Sequence, residues 1–201
     1  IDAQRRTVSE SVRYANERIQ FKTPISQFGA IKQKIANMAT NCYVGESGCY
    51  RAAKDIEDRI AIRAESGISH QEAELKGVEE YVIECSILKV AVSEHTQDCT
   101  DEGVQIFGGM GYSAEMPMES AWRDARISRI YEGTNEINRM LTVGMLIKKA
   151  MKGHLDVVQF IVENVVDKNP ADENGKTPFH YATENGHLEV FRFFLNNIKN
   201  K

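Results

Sequence analysis

The sequence predicts an all-α protein: a bundle of long up-and-down helices, then about one and a half shorter helix pairs. Three observations carry this reading. Apolar residues recur at helical spacing through residues 1–150. Only four prolines occur, at Pro24, Pro117, Pro170 and Pro178, and none interrupts a long periodic stretch. A 33-residue repeat closes the chain, in which Gly153-His154-Leu155 returns as Gly186-His187-Leu188.

Taken in order, Val8, Val12, Ala15 and Ile19 form one stripe of an amphipathic helix, which Thr23-Pro24 ends because proline cannot extend the hydrogen-bond ladder. A second helix is expected from about Ser26 to Arg63. Its seam is Ile31, Ile35, Met38, Cys42, Cys49, Ile56 and Ile60, with Gly45 on the same line, and Ser66-Gly67 stops it. A third, about His70 to Phe107, carries two stripes: Tyr81, Cys85, Leu88, Val92, His95 and Cys99 beside Ile83, Ile87 and Val90. Apolar on two sides, it belongs in the middle of the bundle, with His95 as a satisfied core histidine. Two helices near forty residues, joined by a short turn, lie antiparallel for about 50 Å.

A glycine-rich break, Gly108 to Ser113, follows. Pro117 suits the first turn of a fourth helix carrying Trp122, Ile127 and Ile130. Tyr131-Glu132-Gly133-Thr134 interrupts it, and Thr134 is the expected N-cap of a last helix through Ile137, Leu141, Met145 and Ile147. No strand pattern appears. The expected boundary lies near residue 150, dividing a bundle (1–150) from the repeat segment (151–201).

Composition bounds the function. The 201 residues are 42% hydrophobic and 27% charged, the balance of a globular chain. A net charge of −4 argues against nucleic-acid binding, which needs a cationic face. No apolar run reaches the ~18–20 residues that span a bilayer. Cys42, Cys49, Cys85 and Cys99 make no C-x-x-C pair and no metal-ligand cluster. They read as reduced core cysteines of a cytoplasmic or mitochondrial-matrix protein, not a secreted one. The sequence opens on Ile1 inside a helical pattern, as expected of a fragment, a processed product or an engineered chain.

The segment Gly153 to Phe160 recurs at Gly186 to Phe193, and Asn164 recurs as Asn197. Between them lies NGKTPFHYATENGH, Asn174–His187, whose T-P-x-H-x-A resembles the ankyrin repeat. Thr177-Pro178 starts a helix, His180 bridges backbone groups of the turn, and Gly186 separates two short helices. Such helices commonly face protein partners, making Tyr181, Glu184 and Asn185 candidate contacts, although they are equally ordinary surface residues. So short a stack must lean on the bundle or on a partner. The run Met145–Val158 holds no breaker but Gly153, so the last bundle helix should run into or abut the first repeat helix.

Tyr14–Ala39 and Gly103–Leu141 together resemble the C-terminal helical domain of acyl-CoA dehydrogenases, closest in style to the very-long-chain branch. The resemblance implies FAD-dependent α,β-desaturation of acyl-CoA thioesters. A carboxylate removes the α proton, the flavin takes a hydride from the β carbon, and an electron-transfer acceptor follows. The base falls at Glu132, on an irregular link where Gly133 lets a ligand approach, with Tyr131 and Gly133 flanking substrate. Without the family, a Glu before a helix N-terminus is an ordinary dipole-complementing charge.

Arg18, in the stretch ending at Phe21, matches the family's arginine that meets the flavin pyrophosphate of a neighbouring subunit. Gln105, Ile106, Phe107, Gly108 and Gly109 match the stretch along the ADP portion, although a helix C-cap explains the glycines equally well. Thr134, Asn135 and Glu136 match further FAD contacts. No metal is implied, and self-association as a tetramer built from dimers is. Lys22 departs from the pattern, standing where many relatives have glycine, and Phe28-Gly29 replaces a polar His-Gln pair. The flavin-holding N-terminal and β domains lie outside the 201 residues, so the chain alone is expected to be inactive. The alternative is a non-catalytic helical and ankyrin fusion serving interaction or structure.

Overall fold

Small side chains let three helices close on one another in this protein, whose computed structural model describes residues 1–151, 153–164, 171 and 175–198. The chain divides into two units, Ile1–Arg139 and Met140–Lys201. The first holds α1 (Asp2–Glu17), α2 (Gly29–Glu65), α3 (His70–Glu80), α4 (Val82–Phe107), α5 (Gly109–Tyr112) and α6 (Pro117–Ile127). Helix α7 (Asn135–Met151) begins in the first unit and ends in the second, which continues with α8 (Leu155–Asn164), α9 (Pro178–Glu184) and α10 (Leu188–Ile198). The all-α reading holds.

Helix α4 occupies the middle of the first unit, packed against α1, α2 and α6, as its two apolar stripes require. Helices α1 and α6 both approach α4 closely at Gly103, where an added Cβ would meet Thr7 Cγ2 at 2.8 Å and Met118 Sδ at 2.9 Å. That closeness selects the buried face of α1. It is Gln4, Thr7, Ser11 and Ala15, while the expected Val12 and Ile19 are exposed.

Met38 on α2 meets Cys99 on α4, and with Ala15, Ile25 and Ile106 they form the core, covered by Val8, Tyr14, Phe28, Ile31 and Ile35. Burial pushes the Cys99 thiol up to about 12. The other cysteines divide: Cys42 is buried, Cys49 is half-buried and Cys85 is exposed, so not all four are core residues. His95 is half-buried, and its Nδ1 is buried with no partner among the described residues, unlike the satisfied core histidine expected.

Two boundaries differ from expectation. The third long helix is broken at Tyr81, whose N–H bonds Val78 O at 3.1 Å in an i→i−3 turn. The bend keeps α3 on α2: Gly77 lies against Ile60, and Glu80 binds Arg59 at 2.8 Å and Arg63 at 2.9 Å. Only α2, at 37 residues, reaches the predicted length. Helix α1 stops at Glu17, before a hairpin in which β1 (Ile19–Gln20) pairs antiparallel with β2 (Thr23–Pro24). Strands of two residues carry no alternation to read. Phe21 and Lys22 form the tip with φ of +50° and +65°, the geometry of a two-residue turn of primed type. A 3₁₀ turn, Ile25–Gln27, then leads into α2.

In the second unit, Val158 and Val162 of α8 pack with Ala182, Val190 and Phe194 of α9 and α10. The 33-residue repeat recurs bond for bond. His154 N–H reaches Lys149 O at 3.4 Å as His187 N–H reaches Ala182 O at 2.9 Å. Asn164 Nδ2 donates to Phe160 O at 2.8 Å as Asn197 Nδ2 donates to Phe193 O at 2.9 Å. The end of α7 thus stands where α9 stands one repeat later. Thr177 caps α9, its N–H donating to His180 Nδ1 at 3.1 Å, which is the bridging role expected of His180. Pro170, Asn174 and Lys152 lie outside the described residues.

Lys22 is exposed and left-handed, where a side chain costs about 1–2 kcal/mol. Lys22→Gly is expected to raise stability by about 0.5–1 kcal/mol, net of glycine's unfolded-state entropy. The urea midpoint measures it; a lower midpoint would contradict the tip geometry.

Candidate functional site

Between α6 and α7 the chain turns at an elbow that the backbone alone cannot hold. Asn135 N–H reaches back to Arg129 O at 3.1 Å, and Glu132 and Gly133 sit consecutively in the left-handed region, with φ of +55° and +80°. Glycine takes that conformation freely, whereas glutamate does not. The Gly133 carbonyl accepts from Lys89 Nζ of α4 at 2.7 Å and from Asn138 Nδ2 of α7 at 2.8 Å. Lys89 Nζ also donates to Asn135 Oδ1 at 2.9 Å.

Asn135 is wholly buried, and its amide is used on every side. Its Oδ1 also accepts from Ser93 at 3.2 Å, and its Nδ2 donates to Ser93 Oγ at 3.0 Å and to Glu94 at 3.2 Å. Glu94 in turn binds Arg139 through both oxygens at 2.8 Å, with Arg129 3.9 Å away. The Arg139 guanidinium, aided by the Asn135 amide, holds the Glu94 carboxyl below the usual carboxylate range. Thr134 is the N-cap of α7, its hydroxyl accepting from Ile137 N–H at 3.3 Å. Glu136 is likewise held low, by its own backbone N–H and by the Thr134 hydroxyl.

Glu132 and Tyr131 lie at the rim of a groove of about 1270 Å³ whose lining includes the small and apolar side chains Ala52 and Ala53 of α2, Leu88 and Val92 of α4, and Ala121 and Ala125 of α6, with Arg5, Arg6 and Glu10 of α1 on it as well. Cys49 and Cys85 also line it. Glu132 is exposed, not desolvated, and Tyr131 is half-exposed. A carboxylate on a fixed backbone, beside a long apolar trough, can meet a polar carbon at the end of an aliphatic chain.

A second cluster gathers where α1 and α4 end. The Tyr14 and Phe107 rings stack at 4.0 Å, and the Tyr14 hydroxyl donates to Phe107 O at 3.2 Å. Around them Arg18, Gln105, Gly108 and Gly109 are exposed, Phe21 is 89% exposed, and Ile106 and Phe107 are buried beneath. A Cβ added at Gly108 or Gly109 would meet nothing within 4 Å. Along α4 this cluster lies about 24 Å from Lys89, at 1.5 Å per residue. The predicted cofactor residues therefore fall into two groups that one copy of the chain does not bring together.

The family model of the acyl-CoA dehydrogenase C-terminal domain matches residues 1–146. The chain belongs to the acyl-CoA dehydrogenase family. A model of ankyrin repeats matches residues 146–195. A Bacillus subtilis protein named "Probable acyl-CoA dehydrogenase" is 43% identical over 159 residues, 79% of this chain and 27% of its own length. The very-long-chain specific enzyme of Macaca fascicularis is 37% identical over 133 residues, 66% of this chain and 18% of that one.

Among solved structures, an acyl-CoA dehydrogenase from Bacillus anthracis complexed with FAD is 43% identical. It covers 82% of this chain and 29% of its own, with a TM-score of 0.70. Butyryl-CoA dehydrogenase from Megasphaera elsdenii, 32% identical, covers 72% and 33% with a TM-score of 0.56. The chain thus spans between 18% and 33% of these relatives' lengths. Among the described residues, no helix is long and apolar enough to cross a membrane.

The expected link Tyr131 to Thr134 is irregular and leads into a helix capped by Thr134, but α6 already ends at Ile127, so Ile130 is not on it; Asn135, matched to FAD contacts by the resemblance, is buried with its amide bonded inside the fold. Sequence reasoning missed Lys89, Ser93, Glu94 and Asn138. The signal was a polar line, Lys89-Ser93-Thr96-Thr100, on a helix otherwise suited to the middle of a bundle.

Because the Glu94 pKa is depressed on folding, its contribution is full above the unfolded carboxylate value near ~4.3 and is lost as pH falls through the lower folded value. Glu94→Gln is expected to cost about 1–2 kcal/mol at pH 7, roughly 3–6 °C in Tm. Melting curves taken from pH 7 to pH 3 should show the variant and the unsubstituted protein converging. A constant gap would show that the Glu94 charge does not matter.

Proposed function

We propose that this chain carries the base-bearing segment of an FAD-dependent acyl-CoA dehydrogenase, with Glu132 removing the α proton of the acyl thioester. The observation that supports it is Glu132 held on a left-handed elbow at the rim of an apolar groove. The groove takes the acyl chain, burying methylenes at about 0.8 kcal/mol each, and Tyr131 and Gly133 flank the thioester. Glu132 accepts the proton once the chain is seated. Seating the chain also displaces water from around the otherwise exposed carboxylate.

The surface fits FAD. Arg18 has no carboxylate within 4.0 Å among the described residues, and the main chain at Gly108 and Gly109 is bare, as close approach of a pyrophosphate requires. Arg18, Phe21 and Gln105 to Gly109 would hold the nucleotide part of FAD, with Ile106 and Phe107 supporting from below. Thr134 and Glu136 would meet it at the elbow, over the turn that Asn135 fixes. Bound FAD supplies the acceptor for the hydride leaving the β carbon, and an electron-transfer acceptor reoxidises it. The ~24 Å between the two groups along α4 favours a homo-oligomer in which each FAD is shared by two copies.

With palmitoyl-CoA and ferricenium, the 201-residue chain alone is expected to give no turnover. Joined to the flavin-holding portion of the Bacillus subtilis relative, it should turn over, and Glu132→Gln should then lower kcat by about 10²–10⁴. Retained turnover in that variant refutes the assignment.

The ankyrin segment favours a second role, docking a protein partner. Lys176 already binds Glu184 at 2.8 Å and lies 5.7 Å from the Tyr181 ring centre, so a partner would meet these residues as an ordered patch. Pull-downs with and without residues 153–201 test it; equal recovery counts against it.

A further inference from the structure

We propose that Lys89 is a positioning residue for Glu132, acting through the Gly133 carbonyl; the inference rests on the reading of Glu132 as the base. Two consecutive left-handed residues, one of them glutamate, store strain that a flip of the Glu132–Gly133 link would relieve. Such a flip would carry the carboxylate away from the groove rim. What opposes it is the set of donors on the elbow's oxygens.

Asn138 is a neutral donor on the elbow's own helix and moves with it. Lys89 stands on α4, outside the elbow, and ties it to the middle of the bundle. Its ammonium reaches Gly133 O at 2.7 Å and Asn135 Oδ1 at 2.9 Å, and charge-assisted bonds of this kind are roughly twice as strong as neutral ones. Among the described residues no carboxylate lies within 4.0 Å of Lys89. The neighbouring acid, Glu94, is instead occupied by Arg139, so the ammonium is left to the elbow. Lys89 also lines the groove beside Glu132. One side chain therefore senses both the base's backbone and the space the substrate would fill.

A base misplaced by about 1 Å loses on the order of 10² in rate, because the proton must be met at contact distance. Lys89→Met keeps the stem and removes the donors; Lys89→Arg keeps the charge and donors. In the 201-residue chain, read by hydrogen exchange over residues 129–138, Lys89→Met is expected to accelerate elbow amides about tenfold or more, the cost of one such bond. Lys89→Arg should stay within about threefold; α2 amides that exchange by local opening should not accelerate in Lys89→Met, whose Tm should fall by no more than the roughly 3–6 °C that one such bond is worth.

In the flavin-loaded protein Lys89→Met should lower kcat about 100-fold with KM for palmitoyl-CoA within threefold, and Lys89→Arg should recover most of the loss. Should Lys89→Met not fold, Lys89→Leu, which also lacks donors, is read the same way. Unchanged elbow exchange overturns the latch, and accelerated exchange with unchanged kcat overturns its role in positioning. A Glu132→Gln variant as active as the unsubstituted protein sinks the base assignment instead, and is recognised because exchange at the elbow still responds to Lys89.

Discussion

A peptide carbonyl at the join of two helices is ordinarily satisfied by water or by the next turn. At Gly133 it is taken instead by donors from two different helices, Lys89 of α4 and Asn138 of α7. This convergence is the constraint on which the site depends. Without it, glutamate at φ +55° would be a local liability of about 1–3 kcal/mol. With it, the same strain becomes a fixed direction for a carboxylate. The buried Asn135 amide extends the arrangement inward to Ser93 and Glu94, so the elbow is set by the middle of the bundle and not by its own loop.

Much of this was legible in the sequence. The helical periodicity, the Pro117 and Thr134 signals and the 33-residue repeat each rest on local chemistry, and each has its counterpart in the structure. The failures share one cause, which is that helix faces are chosen by neighbours. Val12 and Ile19 look like a buried stripe on hydropathy, but the glycine at position 103 demands small side chains opposite it, and Thr7, Ser11 and Ala15 take that face. Tyr81 breaks a helix that its own residues would continue, because Gly77 and Glu80 are held to α2. The polar line through Lys89 could be read, but its partners could not, for the same reason: its acceptors are more than forty residues away in the chain.

Two chemistries of very different reach coexist in the first unit. The groove is shaped by alanines and branched aliphatics, and under the proposed function it selects for length and shape. The cluster at the other end of α4 is shaped by an exposed cation, an amide and bare glycine backbone, and under the same proposal it selects for charge. The stacked Tyr14 and Phe107 rings secure this second end, through a hydroxyl bonded to the last carbonyl of the helix. A rigid rod such as α4 can carry both sites because neither asks it to bend.

The doubled turn of the second unit leads somewhere its symmetry conceals. Gly153 and Gly186 occupy equivalent places with φ of +84° and +70°, yet their surroundings differ. A Cβ at Gly186 would project into open space, whereas one at Gly153 would fall 2.5 Å from the His187 ring. Asparagine, the side chain that enters left-handed backbone most cheaply, is thus admissible in the later copy and shut out of the earlier one. Drift in this segment should therefore be lopsided: one glycine is free to wander among turn-formers, and its twin is pinned by the histidine of the next repeat.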